Sequence, residues 1–480
     1  MEPLRALLRS DKTRLAVELT LAVFAISVCW EAVGWVLRPG LFMILDELST
    51  QKWFLWGSYS SIVHFFPTSF YGDRPIGFAF IRLLTDLFGF DYSRQVACQL
   101  AVHFANCLLA FLLFRRLGAS VPLSLAGIGL YGSLSATALT VTYLGEAFDV
   151  ICLFFLLGST LAVLSDKRGA AALSALLFLA ALRSKEFAIV TPLLLTVLVA
   201  LRAPRLPARQ TLALLGRRLW MHYLILIVFG LRYLSLLPGH LARVGLQDPY
   251  HMDFRIATVL NSLAYYTALI FGTRPLPPWL LAALFVAILT WAVVRRRAGV
   301  AFGIVAYVLT LLPVCFMPNI RIPYWLYAPQ LFLILAICLL LQEALARCSK
   351  RERLRWAAAV CIALICLSAA TRFRRSPVLW HISVRRTCMR TASDASAQFP
   401  KLGPGTHIYV NHGQETPWLF LSGPCDYFKL INKQRAISCV LGKPVDQLRA
   451  LYESDKGPKY FVDYRKDGSI TVTARQPAPG

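Results

Sequence analysis

The chain has 480 residues, 57% of them hydrophobic and only 16% charged, with a mean hydropathy of +0.58. That balance excludes an ordinary soluble domain and describes a polytopic membrane protein. The formal charge of +25 sits in short Lys and Arg clusters between apolar stretches, which sets membrane topology and argues against a nucleic-acid partner.

In chain order, apolar runs fall at 15–37, 95–114, 120–140, 148–165, 169–183, 187–203, 219–237, 279–294, 299–316, 325–345 and 356–371. Several approach the roughly 20 residues that a helix needs to cross a bilayer, and polar or aromatic flanks complete the shorter ones. An all-α bundle of about 11 transmembrane helices is therefore expected over 1–371. The first run follows Arg5, Arg9, Lys12 and Arg14, but it is too long for a signal peptide and has no small-residue cleavage site. It reads as an uncleaved anchor.

With the N-terminus in the cytoplasm, the inward loops carry Arg115-Arg116, Lys167-Arg168, Arg202 to Arg218, Arg295 to Arg297, and Arg347 to Arg355. Each is basic, as the positive-inside rule requires. Two larger hydrophilic parts then lie outside, a first loop at 38–94 and a tail at 372–480. Arg74, Arg183, Lys185, Arg232 and Arg321 fall on that outer side, where topology does not call for them. Each has two readings, a snorkelling anchor or a partner for an anionic head group such as a lipid phosphate.

In the first outer loop, Leu41, Ile44 or Leu45, and Leu48 repeat at helical spacing, with Trp53 and Trp56 following. Pro39 to Trp56 thus reads as an amphipathic helix at the membrane interface. The adjacent acids Asp46 and Glu47 are either its wet face or a general base at an interfacial active site.

Several segments carry a resemblance. These are Asp46-Glu47, Tyr71 to Pro75 (YGDRP), His103 to Asn106 in the second run, and Arg115 to Gly118 at its end. Further along are Tyr143 to Asp149, Ser184-Lys185-Glu186, and Arg321 to Pro329 (RIPYWLYAP). Together, over about 15–345, they resemble the polytopic type C glycosyltransferases, in the branch of the dolichyl-phosphate-mannose protein mannosyltransferases and their bacterial relatives. The resemblance implies a membrane enzyme that takes a sugar from a polyprenyl-phosphate carrier on the outer leaflet and attaches it to an acceptor hydroxyl of a glycan, lipid or protein. It places the catalytic acid at Asp46, with Glu47 as its neighbour.

The chemistry suits these residue types. A sugar phosphate already carries a good leaving group, so no acid is needed on the departing side. A carboxylate to take the acceptor's proton contributes roughly 100- to 10,000-fold, and cations stabilise the departing phosphate. Lys185 is the first candidate for that cation, Arg74 the second and Arg321 the third. The alternative for Lys185 is an ion pair with Glu186 that closes a helical hairpin. Glu146 and Asp149, spaced i, i+3 at a helix start, suit the helix dipole; the other reading has them position the acceptor or, with Asp46, hold a divalent cation. No cofactor is required by any motif, and neither a zinc motif nor a Gly-rich nucleotide loop is present.

His103 and Asn106, one turn apart in a membrane helix, are expected to bond neighbouring helices. Most of the twelve cysteines lie in or beside apolar runs, but Cys425 and Cys439 in the tail are positioned to pair in an oxidising compartment. The tail reads as a small α/β domain: strands at 406–410 and 417–421, a helix at 444–454, and a hairpin turning at Asp467-Gly468. The arrangement fits a bacterial inner membrane. Two other functions stand beside the transferase: a polymerase or ligase of lipid-linked glycans, and a transporter, which the lack of internal repeats disfavours.

Overall fold

The computed structural model describes residue 47 and residues 59–62, 64–70, 72–203, 207–346, 380–421, 425–433 and 435–475. The expected spans at 15–37 and 356–371, Asp46, and all of the expected interfacial helix except Glu47 lie outside those residues.

A short helix, α1 (Tyr59–Ile62), precedes α2 (Pro75–Phe88) and α3 (Tyr92–Arg116). Pro75 opens α2, where a missing N–H costs nothing. Asp91 caps α3 by accepting from the Arg94 N–H at 3.1 Å, and Arg115 and Arg116 end it, where cations suit the helix dipole. The next run is not one helix. It divides into α4 (Val121–Ser133) and α5 (Ser135–Thr142), bent by 60° at Leu134. A 3-10 turn, Leu144–Glu146, leads into α6 (Ala147–Val163), which packs along both α3 and α7 (Ala170–Ser184).

A second 3-10 turn, Glu186–Val190, leads to α8 (Thr191–Arg202), followed by the long α9 (Ala208–Leu241). Ile256–Phe271 forms a helix, α10, where no membrane run was expected. Its sixteen residues include Asn261, Ser262, Tyr265, Tyr266 and Thr267, which dilute its apolar signal. α11 (Pro278–Val294), α12 (Ala298–Cys315) and α13 (Tyr327–Leu345) complete the described bundle. Among the described residues, five helical segments are long and apolar enough to cross a membrane: Tyr92–Arg116, Leu144–Val163, Ala208–Leu241, Ala298–Cys315 and Pro323–Leu345. The bent pair α4 and α5 makes a sixth if it crosses as one span.

Small residues set the closest helix contacts. Gly299 and Gly303 form a G-x-x-x-G pair on α12; a Cβ on Gly303 would lie 2.8 Å from the Phe332 carbonyl oxygen, and one on Gly299 2.9 Å from that of Leu117. Backbones approach this closely only where no side chain intervenes. Polar bridges add direction. Asn106 donates to the Val150 carbonyl at 2.8 Å and to the Tyr327 hydroxyl at 3.1 Å, and His103 Nδ1 meets the same hydroxyl at 2.8 Å. These two residues bond neighbouring helices, as their position in the sequence implies.

The bundle has two distinct ends. At one, Arg202 reaches the Arg116 carbonyl, Arg218 pairs with Asp166, and Arg297 pairs with Glu343. The other end carries the turns at Leu144–Glu146 and Glu186–Val190, and there the tail docks.

The tail opens with an unexpected helix, α14 (Trp380–Gln398), whose mean composition is polar. It then builds a four-stranded sheet from β1 (His407–Asn411), β2 (Ser438–Val440), β3 (Lys459–Tyr464) and β4 (Ile470–Arg475), in the order β2-β1-β3-β4. β1 runs parallel to β2 and β3, while β3 and β4 form the expected antiparallel hairpin. The expected strand at 417–421 is instead a helical turn, α15 (Trp418–Leu421), because the Phe420 N–H folds back to the Pro417 carbonyl. A short apolar run alone does not separate the two conformations. A Cys425–Cys439 disulfide ties the start of α16 (Asp426–Asn432) to β2, while α17 (Val445–Ser454) packs on β1 and β3 and α14 on β4.

Candidate functional site

The end of the bundle that bears the tail holds a cavity of about 620 Å³. Arg74, Glu146, Asp149, Lys185 and Glu186 all reach it. Each is placed by a helix end. Arg74 precedes Pro75 at the start of α2, and the residue before a proline is biased toward extended backbone. Glu146 closes the 3-10 turn before α6, and Asp149 lies in the first turn of α6, where an acid suits the dipole. Lys185 is extended, with φ −157° and ψ 141°, so it breaks the chain between α7 and the turn at Glu186.

The charges pair across helices. The Lys185 ammonium lies 3.2 Å from Glu146 Oε2 and also bonds Asp149, all three side chains being buried. Arg74 Nε meets both Glu186 carboxylate oxygens at 3.1 Å, and the Gly72 N–H donates to Glu186 at 2.8 Å. Burial alone would raise the Glu186 carboxyl, but the charge and hydrogen bond of Arg74, with the Gly72 N–H, hold it below its ordinary value. The Lys185–Glu186 pair of the alternative reading therefore does not form. Adjacent side chains at a helix break point to different neighbours, and each finds a partner from another element.

Beneath this layer, Arg183 donates to the His64 carbonyl at 2.9 Å and lies 3.4 Å from Asp73, whose other oxygen accepts from Thr68. Arg183 and Arg232 belong to the packing of the first outer loop rather than to the cavity wall, since Arg232 donates to the Pro67 carbonyl at 2.9 Å. The rest of the lining is largely apolar and aromatic, with Tyr233 and Leu237 of α9, Tyr250 and Phe254 before α10, and Tyr324 and Trp325 before α13.

The remaining expected residues lie elsewhere. Arg321 is exposed and stacks on the Tyr265 ring at 4.9 Å, and it does not line the cavity. Asp46 is outside the described residues. Glu47 is neither wet nor in the cavity: it is 2% exposed and held by Arg385 of the tail at 2.6 and 2.8 Å. Its carboxylate also accepts from the Leu144 N–H at 2.7 Å. The sequence reading put Glu47 on an interfacial helix, as wet face or general base; the tail covers it instead, and no sequence period announces Arg385.

Among the described residues, no group of three or more His, Cys, Asp or Glu is placed to hold a metal ion. Between Glu146 and Asp149 the ammonium of Lys185 supplies the positive charge. The chain matches no protein-family model and no curated protein.

Proposed function

We propose that this chain is an integral-membrane glycosyltransferase that moves a sugar from a polyprenyl-phosphate carrier to an acceptor hydroxyl in the cavity. The supporting observation is the make-up of the cavity, two cations and three carboxylates among apolar and aromatic residues at one end of a membrane bundle. A donor with an anionic phosphate, a sugar ring and an isoprenoid tail matches both halves. Tyr233, Tyr250, Tyr324 and Trp325 offer flat faces and polar edges to the sugar.

In this reaction the bond between the anomeric carbon and the phosphate oxygen breaks, and the acceptor oxygen forms the new bond to that carbon. The acceptor's proton passes to a carboxylate, and polyprenyl phosphate leaves with its negative charge. Lys185 and Arg74 stabilise that charge, exchanging a carboxylate partner for the phosphate as the donor enters. Glu146 and Asp149, so released, bind the acceptor hydroxyl. Asp46 keeps the proton-accepting role; Glu47, engaged by Arg385, is left to hold structure.

The same reading includes about 11 spans, a cytoplasmic N-terminus and an extracytoplasmic tail in a bacterial inner membrane. The Cys425–Cys439 disulfide supports an oxidising side for the tail, and the basic residues at the opposite end suit the cytoplasmic face. α10 adds no crossing in this count. It starts at the cavity end, where the Asp253 N–H meets the Phe316 carbonyl, and Thr267 reaches Tyr307 midway along α12.

The test is transfer from radiolabelled polyprenyl-phosphate sugars to a crude envelope acceptor by purified protein, comparing wild type with D46N and K185M. Loss of incorporation in both folded variants is the expected result. Undiminished incorporation by K185M, or none by wild type across the donor series, overturns the reading.

A further inference from the structure

The Glu47–Arg385 pair lies outside the cavity, yet it grips the turn that delivers Glu146 and Asp149. Both side chains are fully buried, and they join residues 338 positions apart. Arg385 donates to both Glu47 oxygens and, at 3.3 Å, to the Thr142 carbonyl; Glu47 accepts from the Leu144 N–H. The guanidinium is sandwiched by aromatic rings, 4.4 Å from the centre of Tyr92 and 5.8 Å from that of Tyr143. Tyr92 in turn donates its hydroxyl to the Thr142 carbonyl at 2.5 Å, and Gln99 donates to the carbonyls of Thr140 and Tyr143.

Residues 140–144 thus end one helix, at Thr142, and enter the turn that closes at Glu146, and nearly every polar backbone atom there that the helices leave over is taken by these side chains. Two of the contributors, Glu47 and Arg385, come from the first outer loop and the tail domain. A buried ion pair is a poor way to gain stability, since apolar residues of similar volume often do as well or better. What apolar residues would not supply is an acceptor for the Leu144 N–H and a donor to Thr142.

We infer that Arg385, acting through Glu47, is a positioning residue for the Leu144–Glu146 turn, so that the tail domain is a working part of the cavity rather than an appendage. This deepens the transferase reading and rests on it only for the chemistry that the turn serves. Docking of the tail fixes the backbone from which Glu146 and Asp149 face Lys185. Without the pair, that backbone opens and the two acids lose their register with the ammonium.

The experiment replaces the pair by apolar residues of similar size, E47L with R385M, in the full-length protein. Hydrogen exchange over residues 140–149 is then read by mass spectrometry beside thermal unfolding. The expected result is an unfolding midpoint close to wild type, with exchange in this turn at least about ten-fold faster, one order of magnitude per 1.4 kcal/mol of lost closure. Wild-type protection of the turn in the double variant would overturn the inference, because a merely stabilising pair is fully replaced by good apolar packing. Should the double variant not fold, R385K decides instead. It keeps the charge but loses the two-pronged contact, and faster exchange confined to 140–149 supports the inference, while unchanged exchange refutes it. Because exchange needs no substrate, an absence of transfer activity in wild type would sink the transferase reading and leave this result standing.

Discussion

Replacing Lys185 by Met removes a cation bonded to two buried acids. The ammonium lies 3.2 Å from Glu146 and also bonds Asp149. At that distance and an effective dielectric constant of about 20, one such contact amounts to about 5 kcal/mol of attraction. Most of this offsets the desolvation of the charges, so the substitution chiefly exposes what is left unpaired. Removing one partner of a buried pair costs about 3–5 kcal/mol, and here two carboxylates lose theirs together. The assay is thermal unfolding of the detergent-solubilised protein. A fall of at least about 4 °C is expected, partly recovered by adding D149N. An unfolding midpoint indistinguishable from wild type would refute this account of the cavity.

Other outcomes follow from the same structure. A Cβ on Gly77 would lie 2.2 Å from Phe148 Cδ1, so G77A should cost about 1–3 kcal/mol, and F148L in the same chain should restore most of it in an unfolding assay. Removing the Cys425–Cys439 disulfide, which spans 14 positions, by C425S with C439S should destabilise the tail domain by about 3 kcal/mol, measured by thermal unfolding. Glu186 is held below its ordinary value of 4.5, so its contribution is complete above that pH and fades as pH falls through the lower folded value. The unfolding midpoint should drop with acid over that range in wild type and less steeply in R74M, where the pairing is gone.

Local patterns in the chain carry local structure. Apolar runs announced most of the bundle helices, because a helix that meets lipid must be apolar along its length. Asp467-Gly468 announced the hairpin of β3 and β4, since the tight turn closed by the Gly468 N–H on the Arg465 carbonyl puts Gly468 at a φ of 84°. α10 escaped because polar residues dilute its apolar signal, several of them buried against protein, including Ser262, Tyr266 and Thr267, the last against Tyr307. The strand expected at 417–421 failed because Leu419 and Phe420 are buried equally well by a helical turn.

For the site, the sequence alone singled out charged residues at helix ends, and it named Arg74, Lys185, Glu146 and Asp149, which the fold brings to one cavity. Only the tertiary structure decided who pairs with whom. Lys185 finds Glu146 across 39 positions, Arg74 finds Glu186 across 112, and Glu47 finds Arg385 across 338. Spacing along a chain fixes the direction of a side chain from its own helix, whereas the partner it meets there depends on how distant helices and the tail pack together. That is why Glu47, read from the sequence as wet helical face or general base, is buried under a domain whose docking no local pattern records.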